Sequence, residues 1–306
     1  MITSVVGSLA KRLRHRISYD RADIVPATIR FGRFVVRRGR VAAHNARLNA
    51  AGGYIEHFGV HMPRNNAGDT VLFDAVERLF DQEIQPFDWR LTQLREMVTK
   101  SDVARINEKA KGILVGGGGL FIADTNPNNE SGWQWKIAKD DLEALKPPLI
   151  LFGVGYNQFR GANGFPPVFG GHVTSTVEKA RFIGLRNHGS IAGLKKHLPE
   201  GLHGKLTYQP CMTTVLNRYY PAAMHEVERP AKTIALNLAF DRRSERFGLE
   251  EEAILGRIAT ALKTLTEKGF KFVAAVHAWD DDPMIEFLHR EGITAEYKRL
   301  NLDSPE

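Results

Sequence analysis

Small, polar or charged residues recur directly after short apolar runs of this chain, and those positions are where chemistry can be sited. Asn65-Asn66-Ala67-Gly68-Asp69 follows "GGYIEHFGV"; Ile113-Leu114-Val115 runs into Gly116, Gly117, Gly118 and Gly119; "PPLILFGVGYN" ends on Gly153-Val154-Gly155-Tyr156-Asn157. Arg186-Asn187-His188-Gly189-Ser190 follows "ARFIGL". Later, Asp241-Arg242-Arg243 closes one run, with Arg246 just behind, and His277 with Asp280 closes another. Such residues can move protons and offer backbone N–H groups to an anion. Singly, each has a plainer reading: a tight turn for the glycines, a structural role for His277, a helix N-cap for Asp69. Together they point to a cleft beyond the carboxyl ends of parallel strands.

Several chemistries are poorly supported by the motifs. No Gly-Lys-Ser/Thr follows the glycine run, so it is not a Walker loop, and it does not match the dinucleotide fingerprint G-x-G-x-x-G. No His/Cys cluster has metal-ligand spacing, no G-x-S-x-G occurs, and Cys211 has no neighbouring His to activate it. Asp280-Asp281-Asp282 is either a cation site or, more simply, an acidic loop capping the helix that starts at Pro283. Trp133 and Trp135 alternate, so on a strand they would share one face. With Asp124, Asn126, Asn128 and Asn129 nearby, they read either as a carbohydrate-stacking wall or as core.

These residues need elements to hold them. Strand-like runs at 52–60, 113–115, 147–157, 180–190 and 204–214 alternate with helical stretches, the first carrying an apolar stripe at Val71/Leu72, Ala75/Val76 and Leu79/Phe80. A linker with Pro221 and Pro230 follows, after which the alternation restarts: strands at 232–240 and 270–278, a helix from Leu249 to Lys268, a short helix near 283–291 and "TAEYKRL". That pattern predicts an α/β fold with two parallel sheets, divided as a basic arm (1–50), an N-terminal domain (51–220) and a C-terminal domain (221–306). The second domain shows only three strands and is expected to be incomplete at its C-terminus.

Composition narrows the setting. The formal charge of +7 is uneven: residues 1–50 carry +9 and the remainder −2. The folded body is therefore near neutral, which weakens a nucleic-acid reading based on overall basicity. Residues 1–17 place Ile2, Val5, Leu9, Leu13 and Ile17 at helical spacing among Lys11, Arg12, Arg14 and Arg16. That arm reads as a helix on an anionic membrane surface, as a helix packed on its own protein, or as a targeting segment. A single cysteine excludes an internal disulfide and suits a cytoplasmic setting.

From about residue 52 onward the chain resembles the polysaccharide pyruvyl transferase family, in "NNAGD", "ILVGGGGLF", "ILFGVGYN", "FIGLRNHGS" and "AVHAWDDD". "SGWQWK", "YQPCMTT" and "LAFDRRSERF" resemble its exopolysaccharide branch. The resemblance implies two Rossmann-like domains in a GT-B-like arrangement. It also implies transfer of the pyruvyl group of phosphoenolpyruvate to a sugar, as a ketal, with no metal or nicotinamide cofactor. The acceptor would be a lipid-linked saccharide at the inner face of the cytoplasmic membrane. On this reading His277, Arg186 and Asp69 are catalytic, with Asp280 orienting His277. Arg242, Arg246, Gly117, Gly118, Gly119, Asn187 and Ser190 hold the donor; Asn66, Asp124, Trp133, Trp135 and Asn157 hold the acceptor. Asn187 stands where the family more often has Asp, and Gln209-Pro210 where it often has Asp-Pro. A sugar-nucleotide glycosyltransferase and a non-catalytic partner in polysaccharide assembly are the competing readings.

Overall fold

The computed structural model describes residues 39–60, 67–159, 161–219, 232–240, 242–276 and 281–299. The chain separates into one unit of residues 1–47 and a second of residues 48–306. Both sheets lie in the second unit.

The larger sheet contains β1 (Tyr54–Gly59), β2 (Trp89–Gln93), β3 (Ala110–Phe121), β4 (Leu149–Tyr156), β5 (Phe182–Leu185) and β6 (Leu206–Tyr208) in the order β2-β1-β3-β4-β5-β6. Every pairing is parallel, so each connection must cross back over a face. The crossovers carry α1 (Ala67–Glu83), α2 (Lys100–Lys109), α3 (Lys139–Ala144), α4 (Val168–Lys179) and α5 (His188–Lys195). Central strands covered on both faces read as unbroken apolar runs; Ile113, Leu114 and Val115 of β3 and Leu149, Leu151 and Val154 of β4 are buried accordingly.

A helical turn, α6 (Leu216–Tyr219), follows β6; later in the chain come β7 (Thr233–Leu236), α7 (Arg243–Phe247), α8 (Glu251–Glu267), β8 (Lys271–Val276), α9 (Pro283–Arg290) and β9 (Ala295–Arg299). These form a parallel sheet in the order β7-β8-β9. Its core is Leu255, Ala259 and Leu262 of α8 against Phe272, Ala274 and Val276 of β8 and Phe287 and Leu288 of α9. The α/β class with two parallel sheets is as the alternation predicts.

Among the elements that the sequence reading does not name are β2 and α2. β2 is a run of only five residues, and its alternate residues Arg90 and Thr92 are polar yet turned inward. Both meet Glu56, which is 0 % exposed. Arg105 of α2 reaches the same carboxylate at 2.8 Å and the Tyr54 hydroxyl at 2.7 Å. Thr99 and Asp102 start α2 with a capping box: the Thr99 hydroxyl accepts from Asp102 N–H and the Asp102 carboxylate from Thr99 N–H.

The glycine run also differs from expectation. β3 does not end at Val115; it continues through Gly116–Gly119 to Phe121. The glycines are part of the sheet, with a register shift between Gly118 and Phe121.

Candidate functional site

The carboxyl ends of the larger sheet's strands converge on two guanidinium groups. Arg186 leaves β5, and its fork lies across the glycines of the neighbouring strands. A Cβ on Gly155 would lie 2.6 Å from Arg186 Cζ, and one on Gly119 would lie 3.1 Å from its Nη2 and would collide with the Asn157 amide. Glycine at 119 and 155 therefore makes room for one arginine. Glycine at 117 and 153 does the same for Met212, whose methyl a Gly117 Cβ would meet at 2.9 Å. At Gly116 (φ +154) the neighbour is backbone, the Phe152 carbonyl of β4. The approach anticipated at this run is real, but the approaching groups belong to the protein itself.

The second guanidinium, Arg95, follows β2 and was not singled out by sequence. Its Nε donates to Gln134 Oε1 at 2.6 Å, and Gln134 Nε2 donates to the Gly119 carbonyl at 2.8 Å. Arg186 donates from Nη2 to Asn157 Oδ1 at 3.3 Å. Both arginines are thus held by neutral amides. Other described arginines of this fold are matched to carboxylates: Arg90 and Arg105 to Glu56, Arg218 to Glu83, Arg242 to Asp124 and Arg243 to Glu251. Among the described residues, the terminal nitrogens of Arg95 have no hydrogen-bond partner.

Asp69 joins the two electrostatically. Burial pushes its carboxyl above the usual carboxylate range, while the charges of Arg95 and Arg186 pull it back. Burial likewise lowers Arg95, with Asp69 opposing. A carboxyl in such surroundings can exchange a proton nearer neutral pH than an exposed one. Asp69 lies in the first turn of α1, which opens at Ala67, so it is not the N-cap.

Beneath the glycines, His57 of β1 is fully buried and stacked on Phe73 at 4.2 Å. Its Nε2 is 2.6 Å from the Gly116 carbonyl, so that nitrogen carries a proton, and Nδ1 is 2.9 Å from Glu77. Burial raises the Glu77 carboxyl, opposed by its bond to His57. The pair pins the start of the glycine segment. Nothing in "YIEHFG" distinguishes such a histidine from a surface one except its place in a buried strand.

Several assigned roles are corrected by position. Trp133 and Trp135 are 1 % and 0 % exposed, in the cluster with Phe58, Phe121 and Phe169, so they are core and cannot be acceptor walls. Trp133 Nε1 donates to His172 Nδ1 at 3.0 Å. Ser190 is buried and its hydroxyl accepts the Tyr156 N–H at 3.0 Å, while Asn187 caps α5 by accepting the Ser190 N–H at 2.7 Å. Neither presents its side chain as a donor ligand; Asn187 does the capping work its shape allows in place of Asp. Asn157 holds Arg186 rather than standing apart as an acceptor contact. Gln209, standing in the Gln-Pro pair, accepts the Gly153 N–H at 2.9 Å and so ties the strand ends together.

Arg242 is engaged elsewhere. It pairs with Asp124, donates to Thr125 Oγ1 at 2.6 Å and lies 4.3 Å over the Phe159 ring. Two predicted residues, one donor and one acceptor, are thus bonded to each other. Arg246 is exposed in the last turn of the short α7. A cavity of about 740 Å³ adjoins Asp124 and includes Asn129, Asn163 and Glu245 in its lining. Asn66, His277 and Asp280 lie outside the described residues.

No protein-family model matches the chain, and no curated protein does. Among solved structures, it is similar to a UDP-N-acetylglucosamine 2-epimerase from Rickettsia bellii at 10 % identity, covering 82 % of this chain and 69 % of that one, with a TM-score of 0.37.

Proposed function

We propose that this chain is a carbohydrate-modifying enzyme that transfers the pyruvyl group of phosphoenolpyruvate to two hydroxyls of a saccharide. The observation that carries the reading is the pair Arg95 and Arg186. Two guanidinium groups with neutral holders, one after β2 and one after β5, both act on the charge of the half-buried Asp69, which suits a small ligand bearing both carboxylate and phosphate. The sequence resemblance to pyruvyl transferases supplies the reaction.

The chemistry balances with one acid and one base. The C3 methylene of phosphoenolpyruvate takes a proton, a sugar hydroxyl forms a bond to C2, and the C2–O bond to phosphate breaks. A second hydroxyl closes the ketal. Of the two protons lost by the hydroxyls, one equals that gained at C3 and the other leaves on the phosphate. Asp69 is the described group suited to exchange those protons, with His277 as the second candidate. The arginines balance charge on the carboxylate and on the departing phosphate. The cavity beside Asp124 offers amide and carboxylate groups to sugar hydroxyls and takes the acceptor role that the tryptophans cannot.

Among the described residues no helix is long and apolar enough to cross a membrane. Contact with the inner membrane face is assigned to residues 1–17, which lie outside the described residues. The reaction is tested by incubating the protein with phosphoenolpyruvate and a panel of lipid-linked or free oligosaccharides and following phosphate release. Release that depends on both partners supports the reading. Turnover of a nucleotide sugar with no phosphate from phosphoenolpyruvate would overturn it.

A further inference from the structure

We infer that Gln134 is a positioning residue that sets the anion affinity of this site, by holding Arg95 with an acceptor that carries no charge. The inference rests on the reading of Arg95 and Arg186 as anion ligands.

The segment Ser131-Gly132-Trp133-Gln134-Trp135-Lys136 is built to present this side chain. Trp133 and Trp135 anchor in the core on either side, and Gln134, 4 % exposed, points the other way. Its backbone is fixed at both ends: its N–H donates to the Leu120 carbonyl at 3.3 Å, and its carbonyl accepts from Asn126 Nδ2 at 3.2 Å. The same Asn126 amide reaches the Arg95 carbonyl at 3.2 Å, and Asn126 itself takes the left-handed conformation (φ 56). The two residues are therefore held by one small scaffold.

Chemistry fixes how the amide sits. Arg95 Nε has only a proton to give and the Gly119 carbonyl only lone pairs, so oxygen must face the arginine and nitrogen the glycine strand. A glutamate there would still accept from Arg95 but would neutralise it and repel the Gly119 carbonyl. A methionine of similar length would make neither bond and add no charge. With Nε occupied, Arg95 offers the fork of its two terminal nitrogens, the geometry that meets carboxylate or phosphate oxygens in pairs. The paired tryptophans thus find their purpose in the residue between them.

Sulfate tests this apart from the pyruvyl chemistry, because it stays dianionic over the pH range used. Its affinity is measured by calorimetry for wild type, Gln134→Glu and Gln134→Met, with thermal unfolding as the folding control. At about pH 7.5, Gln134→Glu is expected to weaken sulfate roughly tenfold or more, and Gln134→Met by less. At about pH 3.5 the gap between Gln134→Glu and wild type narrows as the new carboxyl, which the adjoining Arg95 holds below the ordinary glutamate range, takes up its proton. A role in packing alone would not give that pH dependence. Sulfate binding by Gln134→Glu equal to wild type, equal losses in both variants at both pH values, or no sulfate binding by wild type would each overturn the inference. Should Gln134→Glu fail to fold, Gln134→Met decides. A loss that disappears when Gln134→Met is made in an Arg95→Ala background supports the inference, and wild-type affinity, or the same loss in that background, overturns it. A wild type that binds sulfate but not phosphoenolpyruvate overturns the pyruvyl reading and leaves this one standing.

Discussion

Gly155→Ala separates the site from the fold more cleanly than loss of a charged group. Gly155 has an ordinary φ, so alanine costs no backbone strain and restricts the unfolded chain, which favours stability by about 0.4–1 kcal/mol. Its Cβ, however, would stand 2.6 Å from Arg186 Cζ and 2.8 Å from Nη2. Carbon contacts settle near 3.5 Å, so the guanidinium must retreat by about 1 Å. Its bond to Asn157 is already 3.3 Å long and does not survive that retreat. Losing a charge-assisted pairing with the anion costs about 1.5–3 kcal/mol of binding, roughly ten- to a hundredfold. The expected variant is therefore folded, within about 1 kcal/mol of wild type, and strongly impaired in binding phosphoenolpyruvate. Thermal unfolding and calorimetric titration read the two quantities. In an Arg186→Ala background the same substitution should add little, because the group it displaces is gone. Full additivity in that cycle, or wild-type binding by Gly155→Ala alone, would refute the reasoning. Gly116→Ala is the contrast: its Cβ meets the Phe152 backbone at a φ of +154, so it should disrupt β3–β4 pairing and lose stability instead.

Other outcomes follow from the same contacts. Glu56→Ala leaves Arg90 and Arg105 without their shared carboxylate, a loss of about 3–5 kcal/mol in urea unfolding; replacement at little cost would contradict the buried network. Burial holds His172 down to about 4 from its ordinary 6.5. The unfolded chain therefore binds the extra proton first, so its contribution is complete above about pH 6.5 and is lost as pH falls toward 4. That contribution amounts to about 3 kcal/mol. His172→Gln, keeping an acceptor for Trp133 Nε1 and a donor for the Ile137 carbonyl, should flatten that acid-side slope. Asp124→Asn weakens the contact with Arg242; phosphoenolpyruvate binding, read in the same titration, should change less than with Arg186→Ala, since Arg242 is matched to a carboxylate and Arg186 to a neutral amide.

Much of this was legible from residue types and order. The alternation of apolar runs with helical stripes predicts the parallel sheets, and the glycines after Val115 announce a close approach. What the glycines approach was not legible, because Arg186 and Met212 lie far along the chain and meet them only once β4, β5 and β6 are in register. The tryptophans show the same gap. Spacing places Trp133 and Trp135 on one side of the chain but does not say whether that side is core, and Gln134 between them attracts no notice. Arg95 was missed because β2 is only five residues long, Trp89–Gln93, too short a run for its alternation to stand out and mark where the strand ends. Ser190 and Asn187 have types that suit a ligand, yet Asn187 is used by the helix it caps and the Ser190 hydroxyl by the Tyr156 N–H.

The most direct test of the account is calorimetric titration of phosphoenolpyruvate into wild type, Arg95→Ala, Arg186→Ala and Arg242→Ala. The account predicts binding by wild type and a loss of about 1.5–3 kcal/mol, roughly ten- to a hundredfold, for each of the first two variants, with a smaller change for Arg242→Ala. No binding by wild type, or losses confined to Arg242→Ala, would contradict it.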